Sequence, residues 1–196
     1  MLLLNRPINK NHDLTRRPCV ESFLFFFYFS MDEDNLMATP EERRIHIETI
    51  RTFPAELEAL VKDLTPEQLT TPYLDGEWTV QQIVHHLADS HTNAIVRMKL
   101  ILTEDTPYLK GYLQDEVADL ADVESTPIEA SLMILRGLHE RWANLFERLS
   151  EEDWARVGWY DGDPKRAQSV ERILEIYAWH GGNHIDQIKK TLAADD

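Results

Sequence analysis

From Pro40 onward the apolar residues of this chain recur at steps of three and four. Nowhere do they alternate along a run of β-branched residues that ends in a hairpin turn. A chain patterned in this way hides its apolar surface by packing helix against helix. The start signals agree. Thr79 with Gln82 three residues on, and Thr126 with Glu129 three residues on and Pro127 at the first helical position, each read as a capping box before an apolar run. Four long helices are expected: about Pro40 to Leu64, bent at Pro54; Val80 to about Glu104; from the Thr126 cap to near Leu149; and from a Ser169 cap to about Leu192. Thr65-Pro66-Glu67-Gln68 opens a short extra turn of helix. Residues 105–125 read as a long connection with one short helix at about Gln114 to Ala121, and residues 156–168 as an irregular stretch around Trp159-Tyr160 and Asp161-Gly162-Asp163-Pro164. Four amphipathic helices of about 20 residues make an all-α four-helix bundle the expected fold.

The bundle is expected to span residues 36–193. Residues 1–30 differ in character: Arg16-Arg17 precede a run of seven apolar residues, Phe23 to Phe29, after which Met31 opens an acidic stretch. The run is far short of the roughly 18 to 20 residues that cross a bilayer. Glu21 interrupts the layout of a secretory signal and no small-residue cleavage pattern follows, so residues 1–30 are expected to lie upstream of the true start. With 20 Lys and Arg against 35 Asp and Glu, the chain carries a formal charge of −15, which repels nucleic acid. The single cysteine, Cys19, excludes an internal disulfide, a cysteine-based zinc site and CxxC redox chemistry, in keeping with a cytoplasmic protein.

Five of the eight histidines sit in two places: His85, His86 and His91 on the second long helix, and His180 and His184 on the fourth. Two histidines four apart project from one face a turn apart and can reach a single metal ion, or can form a hydrogen-bonded pair with no metal. Periodicity does not decide which residue of the second helix would join them. His91 falls near the centre of the apolar stripe of Val80, Val84, Leu87, Ala94, Ile95 and Met98, as a core histidine would, whereas His86 lies about 120° away on a mixed flank with Ile83, Ser90, Asn93 and Arg97.

Asp75-Gly76-Glu77-Trp78-Thr79-Val80, then Gln82-Ile83-Val84-His85-His86-Leu87-Ala88-Asp89-Ser90-His91, with Tyr177-Ala178-Trp179-His180-Gly181-Gly182-Asn183-His184 near the end, resemble the DinB-like superfamily and its YfiT-type metal-dependent hydrolases, from about Glu41 to Thr191. The resemblance implies a DinB/YfiT-like bundle holding one divalent metal, Zn2+ or in some relatives Ni2+, on His86, His180 and His184. It also implies a homodimer and a small-molecule substrate. Relatives with further histidines on the last helix differ from this chain, which has Gly181-Gly182-Asn183. Each glycine should cost a helix interior about 1 kcal/mol relative to alanine, for which close approach of a neighbour or a local distortion are the two explanations.

Three neutral imidazoles would leave a metal with its full charge and an open position, suited to activating water for hydrolysis. The alternatives are activation of a low-molecular-weight thiol of the mycothiol or bacillithiol type for transfer, as the resemblance allows, and a non-catalytic metal-binding bundle. A fourth protein ligand such as His91 or Asp89 would favour the last. No general base is singled out: Asp89, Ser90, His91, Asn93 and Arg97 are all near His86 in sequence, and Trp78, Trp142, Trp159, Tyr160, Tyr177 and Trp179 are either pocket walls or core.

Overall fold

The computed structural model describes residues 38–194. The reading of residues 1–30 lies outside them. Four long helices carry the architecture: α1 (Pro40–Val61), α3 (Val80–Thr103), α6 (Glu129–Phe146) and α8 (Val170–Leu192). Shorter elements fill the connections: α2 (Pro66–Thr70), β1 (Tyr108–Leu109), α4 (Gln114–Ala118), α5 (Ala121–Ser125), α7 (Glu151–Ala155), β2 (Val157–Tyr160), a 3-10 turn at Pro164–Arg166, and β3 (Ala167–Ser169). Both α1 and α3 pack against α6 and α8, so α1 faces α3, and α6 faces α8, across the diagonals of the bundle. Among the described residues no helix is long and apolar enough to cross a membrane.

The caps are chemical. Thr39 with Glu42, Thr65 with Gln68, Thr79 with Gln82 and Ser150 with Asp153 each form the reciprocal pair that satisfies two otherwise orphaned amides. The box expected at Thr126 does not form. α6 starts at Glu129 with no side-chain cap, and Thr126 instead closes α5, its N–H donating to the Asp122 carbonyl. Glu129 is also drawn away, to Arg136 at 2.6 Å. The far end of α6 stops at Phe146, because Arg148 and Leu149 donate three residues back and tighten the last turn toward 3-10 geometry.

Two further expectations are corrected. The connection 105–125 holds two short helices rather than one, and residues 157–169 are not irregular. β2 pairs in parallel with β1, Trp159 opposite Tyr108, and antiparallel with β3, Gly158 opposite Gln168. Such short strands have no periodicity of their own; they form because the tertiary fold brings them together. Asp161 and Gly162, at φ 55° and 72°, make the left-handed turn that returns β2 toward β3.

The core forms two apolar clusters. One gathers Ile47, Ile50, Ala94, Met98, Trp142 and Phe146; the other gathers Phe53, Leu57, Ile83, Leu87, Leu135 and Ile188. Between them runs a layer of buried imidazoles: His91 follows Leu87 and precedes Ala94 on α3, and His139 follows Leu135 and precedes Trp142 on α6.

Candidate metal centre

α3 and α8 pack directly, and the residues at their junction follow from their caps and stripes. Thr79 starts α3 so that Val80, Ile83, Val84 and Leu87 point inward, which carries His86 to the margin facing α8. Ser169, accepting the Arg172 N–H at 3.0 Å, starts α8 so that Ile173, Ile185 and Ile188 are buried with His180 and His184 between them. All three histidines are buried, and one nitrogen from each lies within 4.8 Å of the other two.

Burial, with the neighbouring His184 as a lesser cause, pushes the His86 imidazole down to about 3. Burial likewise pushes His184 to about 4, against the opposing effect of its bond to Gln187, and moves His180 well below the usual histidine range. All three are therefore neutral at pH 7, the form that offers a lone pair to a metal.

The hydrogen bonds around the triad identify which lone pairs face inward. The Gln187 amide donates from Nε2 to a carboxylate oxygen of Glu77 at 3.1 Å, which turns its Oε1 toward His184 Nδ1 at 2.8 Å. An amide oxygen only accepts, so His184 carries its proton on Nδ1 and aims the Nε2 lone pair at His180 Nε2, 3.2 Å away. That separation is close to the edge of a tetrahedron with metal–nitrogen bonds of about 2.0–2.1 Å. The His86 Nε2 atom is buried with no hydrogen-bond partner. A buried nitrogen of this kind calls for an explanation, and a cation at the triad supplies one. The donor set fits a divalent ion of the zinc and nickel type.

The other residues singled out in the sequence have different places. His91 does not join the cluster: it is fully buried, with Nδ1 2.7 Å from His139 Nε2 and Nε2 3.0 Å from His180 Nδ1. His85 points away from α8. Its Nε2 donates to the Thr126 carbonyl at 3.0 Å and its Nδ1 meets Ser131 Oγ at 2.7 Å, fastening α3 to α6. Asp89 and Asn93 line a cleft of about 310 Å³ between α3, α5 and α6, beside His85 and Asp122, and not the triad. Burial, and then Asp122, hold the Asp89 carboxyl above the usual range. Ser90 is buried, its carbonyl accepting from the Tyr177 hydroxyl at 3.5 Å. Arg97 clasps the Lys110 carbonyl through Nε and Nη2.

Among the aromatics, Trp78 is the wall of the site, its ring 4.7 Å from His86 and stacked 6.5 Å from His184. Tyr177 crosses His91 and His180 edge-on or tilted at 5.1 and 5.4 Å. Trp142 is core, Trp159 and Tyr160 belong to β2, and Trp179 is exposed. Sequence reasoning missed three residues that touch this centre or its neighbours. His139 lay within the apolar stripe of α6, between Leu135 and Trp142, which marks a buried residue. Gln187 sits three residues beyond His184, within reach on the same face, while Glu77 gave no signal for its part. Of the glycines, Gly181 is the close approach: a Cβ there would lie 2.5 Å from the Phe53 ring, whereas one at Gly182 would meet nothing within 4 Å.

Comparison with known proteins agrees with this architecture. A family model described as the DinB superfamily matches residues 49–188. A protein of Geobacillus thermodenitrificans is 47% identical over 148 residues, covering 76% of this chain and 83% of that one, and YfiT of Bacillus subtilis is 40% identical over the same shares. Both carry the name "putative metal-dependent hydrolase". The solved structure of Bacillus subtilis YfiT, described as a probable metal-dependent hydrolase with an unusual four-helix bundle topology, superposes with a TM-score of 0.75 at 38% identity, over 79% of this chain and 87% of that one. The diagonal-facing bundle that presents three buried histidines between α3 and α8 is a member of the DinB superfamily.

Proposed function

We propose that the chain is a metal-dependent hydrolase of a small-molecule substrate, with His86, His180 and His184 holding one divalent ion, zinc in the first instance. The observation that carries the reading is the donor set. Three buried neutral imidazoles converge, and among the described residues neither Asp89 nor His91 completes a fourth ligand. A closed structural site would have all its positions filled by protein, whereas three leave room for substrate. When bound, the ion supplies its undiminished charge as a Lewis acid, acidifying water toward neutral pH.

The chain's own residues supply the setting. Trp78 covers one flank of His86 and His184 and limits the approach of solvent there. Gln187, held by Glu77, keeps His184 in one tautomer. Among the described residues no carboxylate oxygen lies at ligand distance from the three imidazoles, and the Glu77 carboxylate reaches the triad only through Gln187.

The test is elemental analysis of the purified chain, with panels of esters and amides assayed with and without added thiol. About one metal per chain, with hydrolysis that a chelator abolishes and zinc restores, is the expected result. Full turnover after complete metal removal would overturn the reading. Turnover that strictly requires thiol would replace it with the transferase alternative.

A further inference from the structure

Behind the triad the imidazoles form a single file. His139 Nδ1 lies 2.5 Å from the Ile50 carbonyl, His139 Nε2 lies 2.7 Å from His91 Nδ1, and His91 Nε2 lies 3.0 Å from His180 Nδ1. The file begins at a carbonyl that the sequence leaves available. In a helix the Ile50 carbonyl would accept from the amide four residues on, but residue 54 is Pro54, inside α1, and has no N–H to give.

A carbonyl only accepts, and this fixes the direction of every bond that follows. His139 must donate from Nδ1, which leaves Nε2 as a lone pair; His91 must then donate from Nδ1, which leaves its Nε2 to accept; and His180 must donate from Nδ1. Both rings are fully buried, and their hydrogen-bond partners are a carbonyl and other imidazoles with no carboxylate to pair a charge, so each ring has one proton to place and the solution is unique. The His180 Nε2 atom is then a lone pair facing the Nε2 lone pair of His184 at 3.2 Å. Two lone pairs at that separation repel unless a cation lies between them.

We infer that His139 and His91 are positioning residues for the metal centre: anchored on the Ile50 carbonyl that Pro54 leaves open, they lock the His180 proton on Nδ1 and so present its Nε2 to the ion. The inference rests on His180 being a ligand, as proposed above. The file orients rather than conducts. Both rings are fully buried and the far end is a backbone carbonyl, which neither takes up nor releases a proton. It is also uncharged throughout, so unlike a carboxylate behind a ligand it leaves the positive charge of the ion intact.

Two measurements test this. In the metal-free wild-type protein, long-range proton–nitrogen correlation spectra with labelled histidine should show His180, His91 and His139 each protonated on Nδ1 at neutral pH; protonation of His180 on Nε2 would overturn the inference whatever the metal does. Zinc affinity, measured by competition with a chromophoric chelator, should fall about 10- to 100-fold in His91→Leu, which keeps bulk but offers no acceptor. It should recover to within a few-fold of wild type in His91→Gln, whose amide oxygen can accept from His180. Wild-type affinity in a folded His91→Leu variant would overturn the inference, as would an equal loss in both variants. A wild-type chain that binds no zinc at all would refute the proposed metal centre instead, and the tautomer spectra would still decide the file.

Discussion

Replacing Gly181 by alanine sets two known effects against each other at one atom. Alanine is the better helix residue by about 1 kcal/mol. Its Cβ, however, would lie 2.5, 2.6 and 3.0 Å from Phe53 Cδ2, Cε2 and Cγ, where carbon atoms prefer about 3.5–4.0 Å, so the ring must retreat by about 1 Å. The ring has little room: Phe53 is 4% exposed, and His91 and His139 lie 5.4 and 5.2 Å from its centroid. Overpacking of this kind costs about 1–3 kcal/mol, so Gly181→Ala should be destabilising by up to about 2 kcal/mol once the helix gain is subtracted. Gly182→Ala meets nothing within 4 Å and should be stabilising by up to about 1 kcal/mol. Urea unfolding of the chelator-treated protein, followed by far-ultraviolet circular dichroism, reads both midpoints directly. In a Phe53→Leu background the penalty at residue 181 should shrink by more than half. Equal midpoints for the two alanine variants, or an undiminished penalty once the Phe53 ring is gone, would refute the close-approach explanation.

At saturating zinc, His86→Ala, His180→Ala and His184→Ala should each lose stoichiometric metal while remaining helical; full occupancy measured by elemental analysis in any of them contradicts the ligand assignment. The metal-free protein should lose stability with acid. Burial holds His86 at about 3 and His139 at about 4, below the unfolded value of 6.5, so the unfolded chain binds more protons at pH 5. Stability is therefore level above about pH 7 and falls by about 2 kcal/mol per such histidine by pH 5; identical urea midpoints at pH 8 and pH 5 would contradict this. Thr79→Ala should cost about 1 kcal/mol through its lost cap, and Thr126→Ala less than about 0.5 kcal/mol, as judged by the same midpoints.

What could be read from the sequence was local or periodic. Thr79 with Gln82 announced α3, and the four-residue step from His180 to His184 announced a shared face, because both depend on helix geometry alone. The position of His91 within the apolar stripe marked it as a core histidine, and so it is. The assignment of His86 came from resemblance to a family, since periodicity favoured no residue of the second helix. The failures were of another kind. Thr126 has the letters of a capping box, but a preceding short helix claims its backbone and Arg136 claims its partner Glu129. β1, β2 and β3 exist only as neighbours of one another. His139 makes no local pattern with any ligand; its place depends on Pro54, 85 positions earlier, leaving one carbonyl open on a different helix.

The small sheet bears on the triad from a distance. Arg156, just before β2, donates to the Ile101 and Glu104 carbonyls at the end of α3, and its own carbonyl accepts the Val170 N–H in the first turn of α8. One residue thus grips both helices that carry the triad. Each residue advances an α-helix by about 1.5 Å, while a metal tolerates errors of about 0.2 Å in its ligand distances. Sliding α8 along α3 by a single step would put His180 and His184 out of register with His86. Arg156 therefore acts as a ruler between the two helices, and the residues on either side of its bond to Val170 should be far less free to shift than the turn at 161–166 that the bond closes off.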